Sequence, residues 1–389
     1  MIKPRFLLEA IKPYVDSPEA IIITGMRRTG KTTLLNSIYQ QIDSSNKIFL
    51  DLENPLNRKY LEGDNYDGIK NSFQFLGIDF SRRAFIFLDE IQLVRELPSV
   101  VKHFVDHFHT KFFLTGSASF YLKNLFTESL AGRKYIFELF PLSFPEFLLF
   151  KDSPFKLPEN PRDVTRAIFD AISPVYEEYV LYGGFPQVVL KTSVEEKKKS
   201  LEEIFSSFFQ LEVMQLGDFR RNDVVRDLML LMMERAGSRL DIQRISKEMG
   251  VSRSTLGQYI SFLESTYFIK TVRPFSRGKD SEIRKMPKVY LCDTGLLNHF
   301  ARPGAGTLFE NSIFQNLRLK GALNYYRRKT GAEIDFVLDK KTGYEVKITP
   351  SPSEIRKARE ISEALNLADF KVISKNYTDL PDTIYGFMC

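Results

Sequence analysis

Along the first 150 residues, short apolar runs alternate with longer segments whose apolar positions recur every three or four residues. The runs are Ala20-Ile21-Ile22-Ile23-Thr24, Lys47-Ile48-Phe49-Leu50-Asp51, Ala84-Phe85-Ile86-Phe87-Leu88, Lys111-Phe112-Phe113-Leu114-Thr115 and Tyr135-Ile136-Phe137-Glu138-Leu139. An unbroken apolar run suits a parallel strand buried on both faces. Between the first two, Lys31 to Ile42 carries Leu34, Leu35 and Ile38 at helical spacing. Strands separated by helices predict an α/β fold with a parallel sheet covered on both sides. Beyond it, Pro154 to Pro161 is a proline- and charge-rich linker, and residues 163–236 are helical apart from a Gly183-Gly184-Phe185-Pro186 turn. The pattern changes from Arg239 to Phe275, and strands and helices alternate again from Lys288 onward.

The segment after the first strand carries the clearest chemistry. Gly25-Met26-Arg27-Arg28-Thr29-Gly30-Lys31-Thr32 fits G-x-x-x-x-G-K-[ST] between a strand and a helix. Glycines let the backbone curl until several N–H groups aim at one phosphate, and the helix N-terminus adds partial positive charge. Lys31 would neutralise the β/γ-phosphates and the Thr32 hydroxyl would ligate Mg²⁺. Residues 25–32 and the following Thr33 are therefore the ATP-binding candidates. A second strand ends in Leu88-Asp89-Glu90, the form of a Walker B motif: Asp89 would hold Mg²⁺ and Glu90 would polarise the attacking water. Ser117, after the strand ending at Thr115, is the candidate γ-phosphate sensor, with a helix cap as the alternative. Arg133 is either an arginine finger reaching a neighbouring subunit or a structural surface arginine; Arg27 and Arg28 compete with it as charge donors.

Two further constellations lie downstream. Residues 239–252 have the layout of a helix-turn-helix, with Asp241 and Ser252 as helix caps and Gly250 at the turn. The second helix, about 252–265, buries Leu256, Ile260 and Leu263 by its spacing and exposes Arg253, Ser254, Gln258 and Tyr259 as DNA-contact candidates. Ile269 to Arg273 would start a wing, with Arg273, Arg277 and Lys279 close by. Only Arg253 gives this helix a firm positive charge, so domain packing or protein contact stays open. In the last hundred residues Glu310 falls on a helix, and two strands at 332–338 and 344–348 follow. Side-chain alternation puts Asp335 on one face of its strand, and Glu345 with Lys347 on one face of theirs.

Composition narrows the class. The 389 residues exceed what one core usually organises. No apolar run reaches the about 18 to 20 residues that span a bilayer. The start lacks the apolar stretch of a signal peptide. Two cysteines, Cys292 and Cys389, allow no disulfide framework, which fits a cytoplasmic protein. The formal charge of +6 is compatible with an anionic partner without naming one. Of the aromatics, 34 are Phe and none is Trp, and their apolar periodic settings indicate core packing.

Taken with Thr115-Gly116-Ser117, Leu130-Ala131-Gly132-Arg133, Pro141-Leu142-Ser143-Phe144 and Tyr182-Gly183-Gly184-Phe185-Pro186, these motifs resemble the archaeal and bacterial AAA-like ATPases that carry a winged helix and a C-terminal PD-(D/E)XK nuclease-like region. The resemblance implies an AAA-like P-loop domain at 1–150, a helical lid at 151–236, a winged helix at 237–285 and a restriction-endonuclease-like α/β domain at 286–389. It also implies that Asp335 and Glu345 bind Mg²⁺, that Lys347 orients water and that Glu310 supports the metal. Alternating charges on an exposed hairpin would look the same. The expected function is an ATPase acting on or regulated by duplex or branched DNA, with homo-oligomers and nuclease action open. The alternative is a nucleotide-dependent switch that binds protein partners and keeps the nuclease-like domain as structure.

Overall fold

A computed structural model describes residues 3–62, 65–116, 130–217, 219, 221–276, 286–328 and 331–389. They form two compact units: 1–140 with 265–267, and 141–264 with 268–389. Apart from 265–267, the lid, winged-helix and nuclease-like segments expected separately lie in the second unit.

The first unit is built on strands β1 (Ala20–Thr24), β2 (Lys47–Asp51), β3 (Ala84–Asp89), β4 (Thr110–Gly116) and β5 (Lys134–Glu138). All neighbours are parallel, in the order β2-β3-β4-β1-β5. Alternation sorts the strand side chains into two cores. Ile22, Ile86, Leu88, Phe112 and Leu114 pack on one face with Phe73, Val101 and Phe104. Ile21, Ile23, Phe87 and Phe113 pack on the other against Leu34, Leu35 and Ile38 of helix α1 (Lys31–Gln41). Each such side chain contributes about 1.5 to 3 kcal/mol on burial, so both faces resist a polar substitution. The loop from Gly25 to Gly30 therefore leaves a strand fixed on both sides.

In the second unit a helical segment leads into a seven-stranded mixed sheet. Its strands are β6 (Ile269–Pro274), β7 (Lys288–Leu291), β8 (Leu323–Arg327), β9 (Glu333–Leu338), β10 (Thr342–Lys347), β11 (Asp369–Ser374) and β12 (Thr383–Tyr385). The order is β12-β11-β10-β9-β8-β6-β7. β6 and β7 are antiparallel, as a wing would be, but β6 also runs parallel to β8 and so belongs to the C-terminal sheet. Arg273 lies on β6; Arg277 and Lys279 lie outside the described residues.

Helices α2 (Ile242–Glu248) and α3 (Arg253–Ser265) occupy the stretch read as a helix-turn-helix. Asp241 accepts from Arg244 N at 3.0 Å, Gly250 takes a φ of +62° at the turn, and Ser252 Oγ accepts from Thr255 N at 3.0 Å. Arg253, Ser254 and Gln258 are exposed as expected, whereas Tyr259 is buried. Its ring packs edge-on against Phe219 at 5.0 Å. With Leu256, Ile260 and Leu263 it completes an apolar stripe at three- and four-residue spacing, so it cannot present its hydroxyl to a groove.

Candidate functional site

The loop after β1 is held from several directions. Gly30 at φ +94° and Arg28 at φ +68° bend it into the start of α1. The Thr29 hydroxyl donates to Met26 O at 2.8 Å, and Lys31 Nζ donates to Gly25 O and Met26 O at 3.0 Å each. The buried Arg5 braces it from outside, donating to Thr29 O and to Phe140 O at 2.7 Å each. Arg27 pairs with Glu53 at 3.3 Å. Thr32 and Thr33, on the first turn of α1, are exposed.

β3 runs beside this loop's strand with only β4 between them. Asp89, at its end, is buried and accepts from the Thr115 hydroxyl of β4 and from Glu90 N at 3.0 Å. The Thr32 hydroxyl lies close enough to favour its charged form. Burial pushes the Asp89 carboxyl above the usual range, against the downward pull of Thr115 and Thr32. Glu90 follows in the left-handed region at φ +55°, and its carboxylate accepts from the Gln92 amide. An exposed hydroxyl and a desolvated carboxylate side by side are the donor set Mg²⁺ takes in a P-loop site, so Thr32 and Asp89 fit it.

Two expected members stand apart. Ser117 lies outside the described residues. Arg133 precedes β5 at the level of Ala20, the end of the parallel sheet opposite Gly25. Its Nε donates to Asp106 at 2.5 Å, which draws that carboxyl below its usual range. Arg133 is thus tied to Asp106 within its own unit, at the end of the sheet away from the P-loop. Thr115 and Arg5 went unpicked. Thr115 sits two residues before Ser117 in the same quoted motif, and Arg5 carries no local pattern that marks it.

In the second unit, Glu310 on helix α4 (Ala305–Leu317), Asp335 on β9, and Glu345 with Lys347 on β10 do converge. Val346 N donates to Asp335 Oδ2 at 2.8 Å, and Lys347 Nζ donates to Glu345 Oε1 at 2.5 Å. Glu345 Oε2 is buried without a hydrogen-bond partner. Three further residues crowd in. Lys288 on β7 lies 3.2 Å from Glu310 and 3.6 Å from Asp335, and also pairs with Glu333. The Tyr290 hydroxyl donates to Glu310 at 2.6 Å. Burial, then the Asp335 charge, push the Glu310 carboxyl up, against Lys288 and Tyr290. Burial and Asp335 likewise raise Glu345, against Lys347. Burial works to lower the Lys288 pKa, but Glu310, Asp335 and Glu333 overcome it and hold the ammonium charged.

This arrangement does not fit a divalent ion. The cation's place among the carboxylates is taken by Lys288, and among the described residues no group of three His, Cys, Asp or Glu is set to hold a metal. The acids expected to bind Mg²⁺ thus stand against lysines of the chain itself, Asp335 facing Lys288 and Glu345 facing Lys347. Strand alternation could have found Glu333, two residues before Asp335. Lys288 and Tyr290 are two apart in an apolar strand, where a lysine is itself a sign of a buried partner.

The Tyr182-to-Pro186 motif is structural. Asp293, wholly buried, accepts from Gly184 N at 2.7 Å, Gly295 N at 2.8 Å and Leu296 N at 3.2 Å. Burial lifts its carboxyl to about 6 even so. Gly183 takes φ +76°, and a side chain there would collide with the Asp293 carboxylate.

Residues 17–148 match an AAA domain family. Residues 173–305 and 305–385 match two families described as domains of unknown function (DUF8612 and DUF4143). An uncharacterized Haemophilus influenzae protein is 25% identical over 362 residues, covering 87% of this chain and 84% of that one. An uncharacterized Methanocaldococcus jannaschii protein is 26% identical over 352 residues, covering 87% and 76%. Among solved structures, the Aeropyrum pernix ORC2 protein in ADPNP–ADP complexes is similar at TM-score 0.42 and 11% identity, covering 80% of this chain and 96% of that one. A Cdc6p structure from Pyrobaculum aerophilum follows at TM-score 0.33 and 13% identity, covering 80% and 96%, a likeness too loose to bear on function. The likeness to an AAA domain thus falls on the first unit, and no helix among the described residues is long and apolar enough to cross a membrane.

Proposed function

We propose that this chain is a Mg²⁺-dependent ATPase whose nucleotide cycle acts on, or is regulated by, DNA. The observation that carries the ATPase reading is the meeting of Thr32, from the P-loop helix, with Asp89 at the end of β3, directly before Glu90. Magnesium bound at Thr32 and Asp89 supplies charge neutralisation across the terminal phosphates. Residues 25–33 cradle the phosphates with backbone N–H groups, and Lys31 exchanges the Gly25 and Met26 carbonyls for phosphate oxygens. Glu90 orients the attacking water, with the Gln92 amide fixing its carboxylate.

The DNA part rests on the exposed face of α3. Arg253, Ser254, Gly257, Gln258 and Ser261 are exposed there and include no acid, so a phosphate backbone meets only neutral or positive groups. A second reading, a nucleotide-dependent switch for protein partners, is favoured by the Lys288 pairing, which leaves the carboxylate cluster a structural part. The test is ATP hydrolysis by wild type and Lys31→Ala, with and without duplex, single-stranded and branched DNA at fixed salt. Lys31-dependent turnover stimulated by one DNA form is the expected result. Turnover that ignores every DNA moves the reading to the protein switch, and turnover unchanged in Lys31→Ala removes the ATPase site.

A further inference from the structure

Lys288 is placed as a cation site's occupant is placed. Its ammonium faces Glu310 at 3.2 Å and Asp335 at 3.6 Å, pairs with Glu333, and lies 5.6 Å from the centre of the Tyr325 ring. The side chain is 6% exposed. An ammonium costs several kcal/mol to desolvate alone, so it stays buried only where opposing charge surrounds it. The three carboxylates come from two elements: α4 supplies Glu310, and β9 supplies Glu333 and Asp335 toward a lysine on β7. Tyr290, two residues along β7 and so on the same strand face, donates to Glu310. Arg327 pairs with Glu333 at 3.3 Å and Lys347 with Glu345 at 2.5 Å. Four acids thus meet three cations, Lys288, Lys347 and Arg327, and Glu345 Oε2 is buried without a hydrogen-bond partner.

We propose that the Lys288 ammonium is the resident cation of this carboxylate pocket, standing where a divalent ion would stand, so that the pocket of the native chain works without metal. Mg²⁺ would need oxygens at about 2.0 to 2.1 Å in octahedral array, and Mn²⁺, which takes the same carboxylate ligands, would likewise displace a lysine held by three charges. The chain's own ammonium offsets part of the acids' charge at any metal concentration. Removing that ammonium opens the pocket. The inference is independent of the ATPase reading, since it concerns residues of the second unit only.

The probe is Mn²⁺, followed by electron paramagnetic resonance on the full chain without nucleotide, in wild type, Asp335→Asn, Lys288→Ala and Lys288→Ala/Asp335→Asn. Wild type and Asp335→Asn are expected to bind Mn²⁺ alike, showing no Asp335-dependent ion. Lys288→Ala is expected to gain one ion at least tenfold tighter, and the double variant to lose it. Thermal midpoints with and without Mn²⁺, including Lys288→Met to keep the apolar stem, cover variants that fold poorly: Mn²⁺ should raise the midpoint of the Lys288 variants and leave wild type unmoved. Asp335-dependent Mn²⁺ binding by wild type overturns the proposal, and that arm decides even if no Lys288 variant folds. A folded Lys288→Ala that gains no ion overturns it as well.

Discussion

Asp89 in the first unit and Glu310 with Asp335 in the second are carboxylates taken out of water, and their partners differ in charge. Asp89 is met by neutral donors: the hydroxyls of Thr115 and Thr32 and the Glu90 N–H. Glu310 and Asp335 are met by an ammonium. A neutral hydroxyl can turn its oxygen toward an incoming cation and become a ligand beside the carboxylate. An ammonium can only be pushed out, against the full attraction of the acids it serves. Clusters with a similar inventory of acids, hydroxyls and a lysine can therefore be open to metal in one unit and closed in the other. The sign of the neighbours, more than the count of carboxylates, separates a binding site from a finished salt-bridge network.

The largest effect that would break this comparison concerns Glu90. Glu90→Gln should slow ATP turnover by about 10²- to 10⁴-fold while nucleotide still binds, because the amide keeps the shape and loses the base. Phosphate release and fluorescent-nucleotide binding check the two halves separately. Turnover at the wild-type rate would mean that the open site uses another base.

Asp293 sharpens the comparison from the other side, as a buried acid in the second unit that accepts from the backbone N–H groups of Gly184, Gly295 and Leu296. Its carboxyl is raised from 3.8 to about 6, so the folded chain holds that proton more tightly than the unfolded one. The stability tied to that proton is fully present below about pH 4 and is lost as pH rises through about 6, at most about 3 kcal/mol. Urea unfolding at pH 4 and pH 7 should show a smaller drop in Asp293→Asn than in wild type. An equal drop would mean that the neutral N–H groups hold the charge as well as water does.

The smallest effect is expected at Arg27. Its exposed pair with Glu53 contributes under about 1 kcal/mol, so Arg27→Ala should leave the thermal midpoint nearly unchanged. If ATP affinity falls as far as it does in Lys31→Ala, Arg27 also serves the phosphates.

The strands of the first unit, its P-loop and its acidic strand end were legible in the sequence because period and punctuation are local. Ile22 and Ile23 face opposite cores by alternation alone, and Gly30-Lys31-Thr32 is a contiguous pattern. Helices α2 and α3 and their caps were legible for the same reason, except at Tyr259, where a polar atom on a large ring hid a core position. What stayed hidden depends on distant pairing. Lys288 stands 22 residues before Glu310 and 47 before Asp335, and only the sheet order brings β7 to them. Arg5 reaches Phe140 across 135 residues, a bracing no window of sequence contains.

The double membership of β6 sets where this chain can be cut. Arg273 and Pro274 pair with Asn324 and Tyr325 of β8, while Ile269 to Val272 pair with β7. A fragment begun at residue 286 would retain every acid of the cluster and Lys288 itself. It would nevertheless bare the edge of β8 and strip β7 of its partner strand, leaving two unpaired edges that invite pairing with other chains. A soluble piece of this region has to begin upstream of Ile269, so the segment that reads as a wing travels with the sheet in any expression or proteolysis experiment.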